Sequence, residues 1–171
     1  MPRSDSLLWC LRQKKGIRLV APNNNLCREY LAKARSSLNM LNAAIERNET
    51  DWIIATAYYA KYFALYALLQ KCGIKSEIHD YSIETFRLFT EIGLVESSLF
   101  VAISSSKELR IEAQYYVTGA IEKSTVEENV KSAREFVLKL EEIIEKITEE
   151  QIGSVRKKLK ELITVIKEKN E

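Results

Sequence analysis

Apolar positions recur at helical spacing along most of this chain, most densely between residues 51 and 73. Ala55, Tyr59, Tyr62, Phe63, Tyr66 and Leu69 trace one face of that stretch, and Trp52, Ile53, Tyr58, Ala67 and Leu68 fill much of the rest. Lys61 is the only charge between Trp52 and Gln70, and no proline or internal glycine interrupts the run. A helix apolar on nearly every side is a central one, so the remaining chain must wrap it and a ring such as Phe63 is expected to be buried. At 1.5 Å per residue the helix is a rod about 33 Å long. Gly73 predicts its end, because glycine readily takes the left-handed conformation that closes helices. Four tyrosines, Lys61 and Gln70 are poor material for a hydrocarbon interior, so this helix is not expected to cross a membrane.

The flanking patterns are helical too. Residues 1–25 are the least regular part and predict an arm lying along the bundle, with one or two helical turns near its start and Trp9 as anchor. Asn25 is a candidate cap for a helix over residues 26–46, with Leu26, Tyr30, Ala34, Ser37, Leu41 and Ile45 along one side. The short polar turn at 47–50 brings the central helix back antiparallel, with Asp51 placed to cap it. Residues 74–81 read as a polar connection holding the only histidine, His79. A further helix is expected from Ser82 to Gly93, and then a segment broken near the triple serine 104–106. Ser124 and Glu127 have the spacing of a capping box. Behind them Val126, Val130, Ala133, Val137, Leu140, Ile144 and Ile147 form the most regular stripe, which needs a helical partner. Beyond Gly153 a second stripe, Ile152, Val155, Leu159, Leu162 and Ile166, starts out of phase. The expected architecture is all-α: an up-and-down bundle of five to six helices and no strand. Its parts are an arm over 1–25, a bundle over 26–150, and a tail helix over 151–171, docked or continuing with a kink.

Charge and cysteine content narrow the chemistry. A net charge of +2 creates no global field toward nucleic acid or anionic membrane, although Arg12, Lys14, Lys15 and Arg18 form a local cluster that can be a solvated arm or a phosphate contact. Cys10, Cys27 and Cys72 show no metal-ligand spacing and cannot all pair, so they read as free thiols of a reducing compartment. Arg3 and Asp5 interrupt the amino terminus where a secretory leader would be apolar, and a cytoplasmic location is the expectation. No glycine-rich phosphate loop or dinucleotide fingerprint is present, and a single histidine cannot build a histidine metal cluster. Neither metal nor organic cofactor is expected.

One arrangement goes further. The run Tyr58-Tyr59-Ala60-Lys61-Tyr62-Phe63-Ala64, the preceding helix and short turn, the connection from Cys72 through Gly73 to His79, and Leu109-Arg110-Ile111-Glu112-Ala113-Gln114-Tyr115 together resemble HEPN domains across most of residues 26–147. The resemblance is to the archaeal and bacterial branch whose signature reads arginine, two variable residues, alanine, aspartate, tyrosine. It implies a helical bundle that dimerises with signature arginines facing each other across a cleft. Many members are metal-independent RNases, and many work beside a separate small nucleotidyltransferase in toxin–antitoxin arrangements.

Carried over, the signature arginine is Arg110. The family's acid–base histidine falls at Gln114 to Tyr116, where no histidine stands, and Gln114 also replaces the branch's aspartate. Cleavage through a ribose 2′-hydroxyl needs a base, an acid and positive charge on the phosphoryl oxygens. Arg110 supplies the last, with a fork that grips phosphate. Tyr115 and Tyr116 can donate a hydrogen bond but are poor bases near pKa 10, and Glu112 is a base without motif support. The expected site is therefore Arg110 and Tyr115 for any chemistry, with Gln114, Tyr116 and His79 binding RNA or nucleotide phosphate and turnover degenerate. Two alternatives stay open: a metal-independent RNase using Arg110, and a non-enzymatic scaffold in which Arg110 makes a structural ion pair.

Overall fold

A computed structural model describes residues 3–13, 16–115 and 121–168. In chain order it contains α1 (Arg3–Arg12), β1 (Arg18–Leu19), α2 (Asn24–Glu46), α3 (Thr50–Lys71), β2 (Ile74–Lys75), α4 (His79–Glu91), α5 (Ser97–Tyr115), α6 (Lys123–Lys146) and α7 (Glu149–Glu168). The helices form an up-and-down bundle, seven among the described residues once α1 in the arm and α7 in the tail are included. None is long and apolar enough to cross a membrane.

α3 is the centre, as its composition demands. Alanines 57, 60, 64 and 67 are fully buried and let neighbouring helices approach closely, while Ile54, Leu65, Leu68 and Leu69 fill the space around them. α2, α4, α5 and α6 all pack on it. Two aromatics of the run behave otherwise. Trp52, at the exposed first turn, faces solvent, and Phe63 is only partly buried, stacked between Tyr59 and Tyr30. The largest enclosed rings are instead Tyr58 of α3, Phe86 and Phe89 of α4 and Phe136 of α6. The α6 stripe finds its partner inside the same chain: Ala133, Val137, Leu140 and Ile144 are buried, and α6 lies along α3.

Helix ends differ from expectation where side chains compete. Asn23, not Asn25, caps α2, its Oδ1 accepting from the Leu26 amide at 2.9 Å. The buried edge of α2 is Cys27, Ala34, Leu41 and Ala44, which leaves Leu26 and Ile45 substantially exposed. The α2–α3 turn closes on Asn48 at φ +55°, a conformation asparagine tolerates. Glu49 occupies the cap of α3 and Asp51 falls inside its first turn. Glu122 rather than Ser124 precedes α6, with no side-chain cap. The triple serine does not break α5: Ser104 donates to the Phe100 carbonyl, and Ser106 is satisfied by a partner on α6.

The arm and tail are stitched to the end of α3. Arg18 and Leu19 pair antiparallel with Lys75 and Ile74, a two-residue ladder that the all-helical expectation excluded. The arm is anchored by buried Leu7, Cys10 and Ile17, whereas Trp9 is 55% exposed and only edges against Tyr81. Lys14 and Lys15 lie outside the described residues, and Arg18 pairs with Glu77. α7 is a separate helix that begins ahead of Gly153. Thr148 and Gln151 form a capping box, Gln151 N–H donating to Thr148 Oγ1 at 3.2 Å and Thr148 N–H to Gln151 Oε1 at 3.0 Å. From α7, Arg156 Nη1 donates to the carbonyls of Val20, Cys72 and Gly73, each at 2.9 Å. Gly73 sits at φ +67°, and a Cβ there would lie 2.3 Å from that guanidinium and 2.5 Å from the Val20 carbonyl oxygen. The helix-closing glycine is thus also the gap through which the tail is docked.

Candidate functional site

Tyrosines four apart on α3 share one face, and Tyr58, Tyr62 and Tyr66 stack along it with centroids 6.0 and 5.9 Å apart. Burial would leave three hydroxyls unpaired, and the segment after β2 satisfies them. The Tyr66 hydroxyl donates to the Ser76 carbonyl at 2.6 Å, that of Tyr62 lies 3.4 Å from Ser82 Oγ, and that of Tyr58 lies 2.8 Å from His79 Nδ1. His79 is not in a loop. It is the first residue of α4, and its ring stacks flat on Tyr62 at 3.7 Å. Burial pushes the Tyr58 phenol up and Tyr62 up to about 12, so both stay protonated hydrogen-bonding groups.

Arg110 reaches the same place from α5. Its guanidinium lies over the Tyr58 ring at 5.0 Å, and Nη1 donates to Gln114 Oε1 at 2.8 Å, one helical turn on. Its Nε is buried and has no partner among the described residues. Tyr58 therefore touches Arg110 with its face and His79 with its hydroxyl, so the signature arginine and the histidine share one tyrosine. Burial holds His79 below its ordinary pKa, Arg110 and Lys107 push the same way, and Asp80 opposes them. The ring is neutral at pH 7. When Tyr58 donates to Nδ1, Nε2 carries the proton and is a donor; in the other tautomer Nε2 is a lone pair, hence a base. Lys107 pairs with Asp80, tying α5 to the start of α4.

The remaining expected residues divide. Gln114 is bound to Arg110. Tyr115 is 70% exposed and lines a shallow depression with Asp51, Trp52 and Gln114. Tyr116 lies outside the described residues. Glu112 faces a different groove, between α5 and α6. Tyr58 was missed as a site residue, and its signal was the four-residue spacing to Tyr62. The cysteines offer no nucleophile: all three are free and buried, and burial pushes the Cys10 and Cys72 thiols up to about 12.

The groups of the cluster are of a kind that can hold an anion. A planar cation held by one neutral acceptor, beside a neutral imidazole, gains when a phosphoryl oxygen takes the place of the carboxamide. Residues 27–144, well over half of the chain, match the family model described as the HEPN domain. No curated protein matches the chain.

Proposed function

The chain belongs to the HEPN domain family, and from that membership and the Arg110 cluster we propose that it binds RNA or a nucleotide phosphate at Arg110 and His79. The observation that carries this reading is the Arg110–Gln114 bond: a 2.8 Å, exposed contact to a neutral acceptor that a charged phosphate oxygen can displace. His79 Nε2 supplies a second donor, and Tyr58 holds both groups in register. A toxin–antitoxin setting with a separate nucleotidyltransferase is part of the proposal and draws only on the habit of the family.

The test is binding of mixed-sequence single-stranded RNA to the wild type and to Arg110→Ala. The expected loss is about 10- to 100-fold, the range for hydrogen bonds to charged groups, with the helical spectrum unchanged. Arg110→Lys should recover part of it, having a point charge without the fork. Wild-type affinity should rise as the pH falls below the ordinary histidine value of 6.5, because a protonated His79 adds charge beside the phosphate. Identical binding by wild type and Arg110→Ala would defeat the assignment and favour the scaffold reading.

One observation favours a second reading, a metal-independent RNase. His79, from α4 and not from the signature helix, shares Tyr58 with Arg110, and its neutral imidazole is a group that can give and take a proton. Products ending in 2′,3′-cyclic phosphate in the presence of EDTA, lost in His79→Ala while binding persists, would establish it.

We further propose a homodimer. The α6 stripe does not argue for it, because its buried residues pack against α3 within the same chain. Val101 and Tyr115 on α5, the helix that carries Arg110, are 59% and 70% exposed, and Trp52 on α3 is 63% exposed, so apolar surface is left uncovered there. Light scattering at micromolar concentrations should return twice the chain's 19.7 kDa. A monomer mass throughout would remove any two-chain cleft.

A further inference from the structure

On the α5–α6 side of α3 lies a groove of about 620 Å³ whose lining includes Lys61, Val101, Ser106, Leu109, Glu112 and Asn129. Lys61 is 1% exposed and Asn129 7% exposed. Asn129 Oδ1 accepts from Lys61 Nζ at 2.8 Å and from Ser106 Oγ at 2.9 Å. With its oxygen doubly engaged, the amide cannot usefully turn over, and its Nδ2 is buried without a partner among the described residues. An amine and a spare amide donor thus line one groove.

We propose that this groove is a binding site for a small uncharged aldehyde or ketone, with Lys61 as the amine that condenses with it. Asn129 Oδ1 accepts one N–H of Lys61 and so aims the nitrogen lone pair, while Nδ2–H donates to the carbonyl oxygen of the ligand. Nζ attacks the carbonyl carbon, the C–N bond forms as the C=O π pair moves to oxygen, and a proton passes from nitrogen to that oxygen to give the carbinolamine. Loss of the hydroxyl as water, with the second nitrogen proton, leaves the imine. No oxidant or reductant is consumed, and the reverse step with water restores the amine. Glu112 and Glu128 in the same groove can carry the protons, and with Glu108 they make it unfavourable for an anionic ligand.

Burial lowers the Lys61 ammonium to about 7, so much of it is free amine at neutral pH. The charged groups lining its groove are Glu108 and Glu112 from α5 and Glu128 from α6. Buried lysines with an apolar stem and one polar partner react by this route because the neutral amine is the nucleophile. The proposal is independent of the Arg110 cluster and stands or falls separately.

The experiment incubates the full chain with benzaldehyde and sodium cyanoborohydride between pH 6 and 10, followed by peptide mapping. At pH 7 Lys61 should be modified at least tenfold faster than the other lysines, with a half-maximal rate near pH 7. Asn129→Leu should slow modification of Lys61 at least tenfold. Asn129→Asp, which sets a carboxylate against the ammonium, should move the half-maximal pH upward, and Lys61→Met should lose the fast modification. Circular dichroism confirms that each variant is folded. Modification confined to other lysines, or a Lys61 rate that follows theirs with pH or is unchanged in both Asn129 variants, overturns the proposal.

Discussion

Replacing Lys61 with methionine is expected to stabilise the protein by about 3 to 5 kcal/mol near neutral pH, at about 1.4 kcal/mol per unit of pKa displacement. The ammonium titrates near 10.5 in the unfolded chain and about 7 when folded. Between those values the unfolded state holds the proton and the native state does not, so stability rises with pH across that window. The penalty is absent above about 10.5 and complete below about 7. Methionine keeps the unbranched stem and removes the charge, while Asn129 Oδ1 keeps its bond from Ser106. Urea denaturation at pH 7 and pH 10 checks both halves: the wild type should gain stability at the higher pH, and the variant should be more stable at pH 7 and show no such gain. A Lys61→Met protein less stable at pH 7 would mean that the Lys61–Asn129 bond outweighs the cost of burying the amine.

The centrality of α3 was legible because almost nothing polar interrupts residues 52–70, and the α6 stripe because its spacing alternates four and three over six turns. The ends were less legible. The β1–β2 ladder is two residues on each side, too short for alternation to register. Helix α4 starts at His79 with no side-chain cap, so a polar segment concealed its first turn. Thr148–Gln151 did carry a local signal, a capping box, but Gly153 drew the boundary past it. The Arg110 cluster is a different case. Arg110, Tyr58 and His79 come from three helices, and only the fold joins a signature on α5 to a histidine 31 positions earlier. The sequence offered Arg110 and His79 separately and could not show that Tyr58 connects them. Lys61 was visible as a lone charge in an apolar run, yet its chemistry depends on Asn129, 68 residues away.

Phe136→Ala is expected to cost about 3 to 5 kcal/mol, the range for removing an enclosed phenyl ring. The ring is fully buried, its centroid 5.9 Å from that of Phe86, which in turn lies 6.1 Å from Phe89. These three rings fasten α6 to α4 beside the central helix, and alanine would leave a cavity that rigid helices cannot close. Phe63→Ala is the informative comparison, because Phe63 belongs to the most apolar stretch of the chain but is only partly enclosed. Its ring lies against Tyr59 and Tyr30 under the ammonium of Lys33 and is only partly buried. Burying a whole phenyl is worth about 1.5 to 3 kcal/mol, so losing this half-covered ring should cost about 1 to 2 kcal/mol. Urea denaturation of both variants under one condition measures the difference directly. Phe136→Ala should shift the midpoint at least twice as far as Phe63→Ala. The reverse order would place the denser packing at the Tyr30–Phe63 contact between α2 and α3 and undo the assignment of Phe136 to the core.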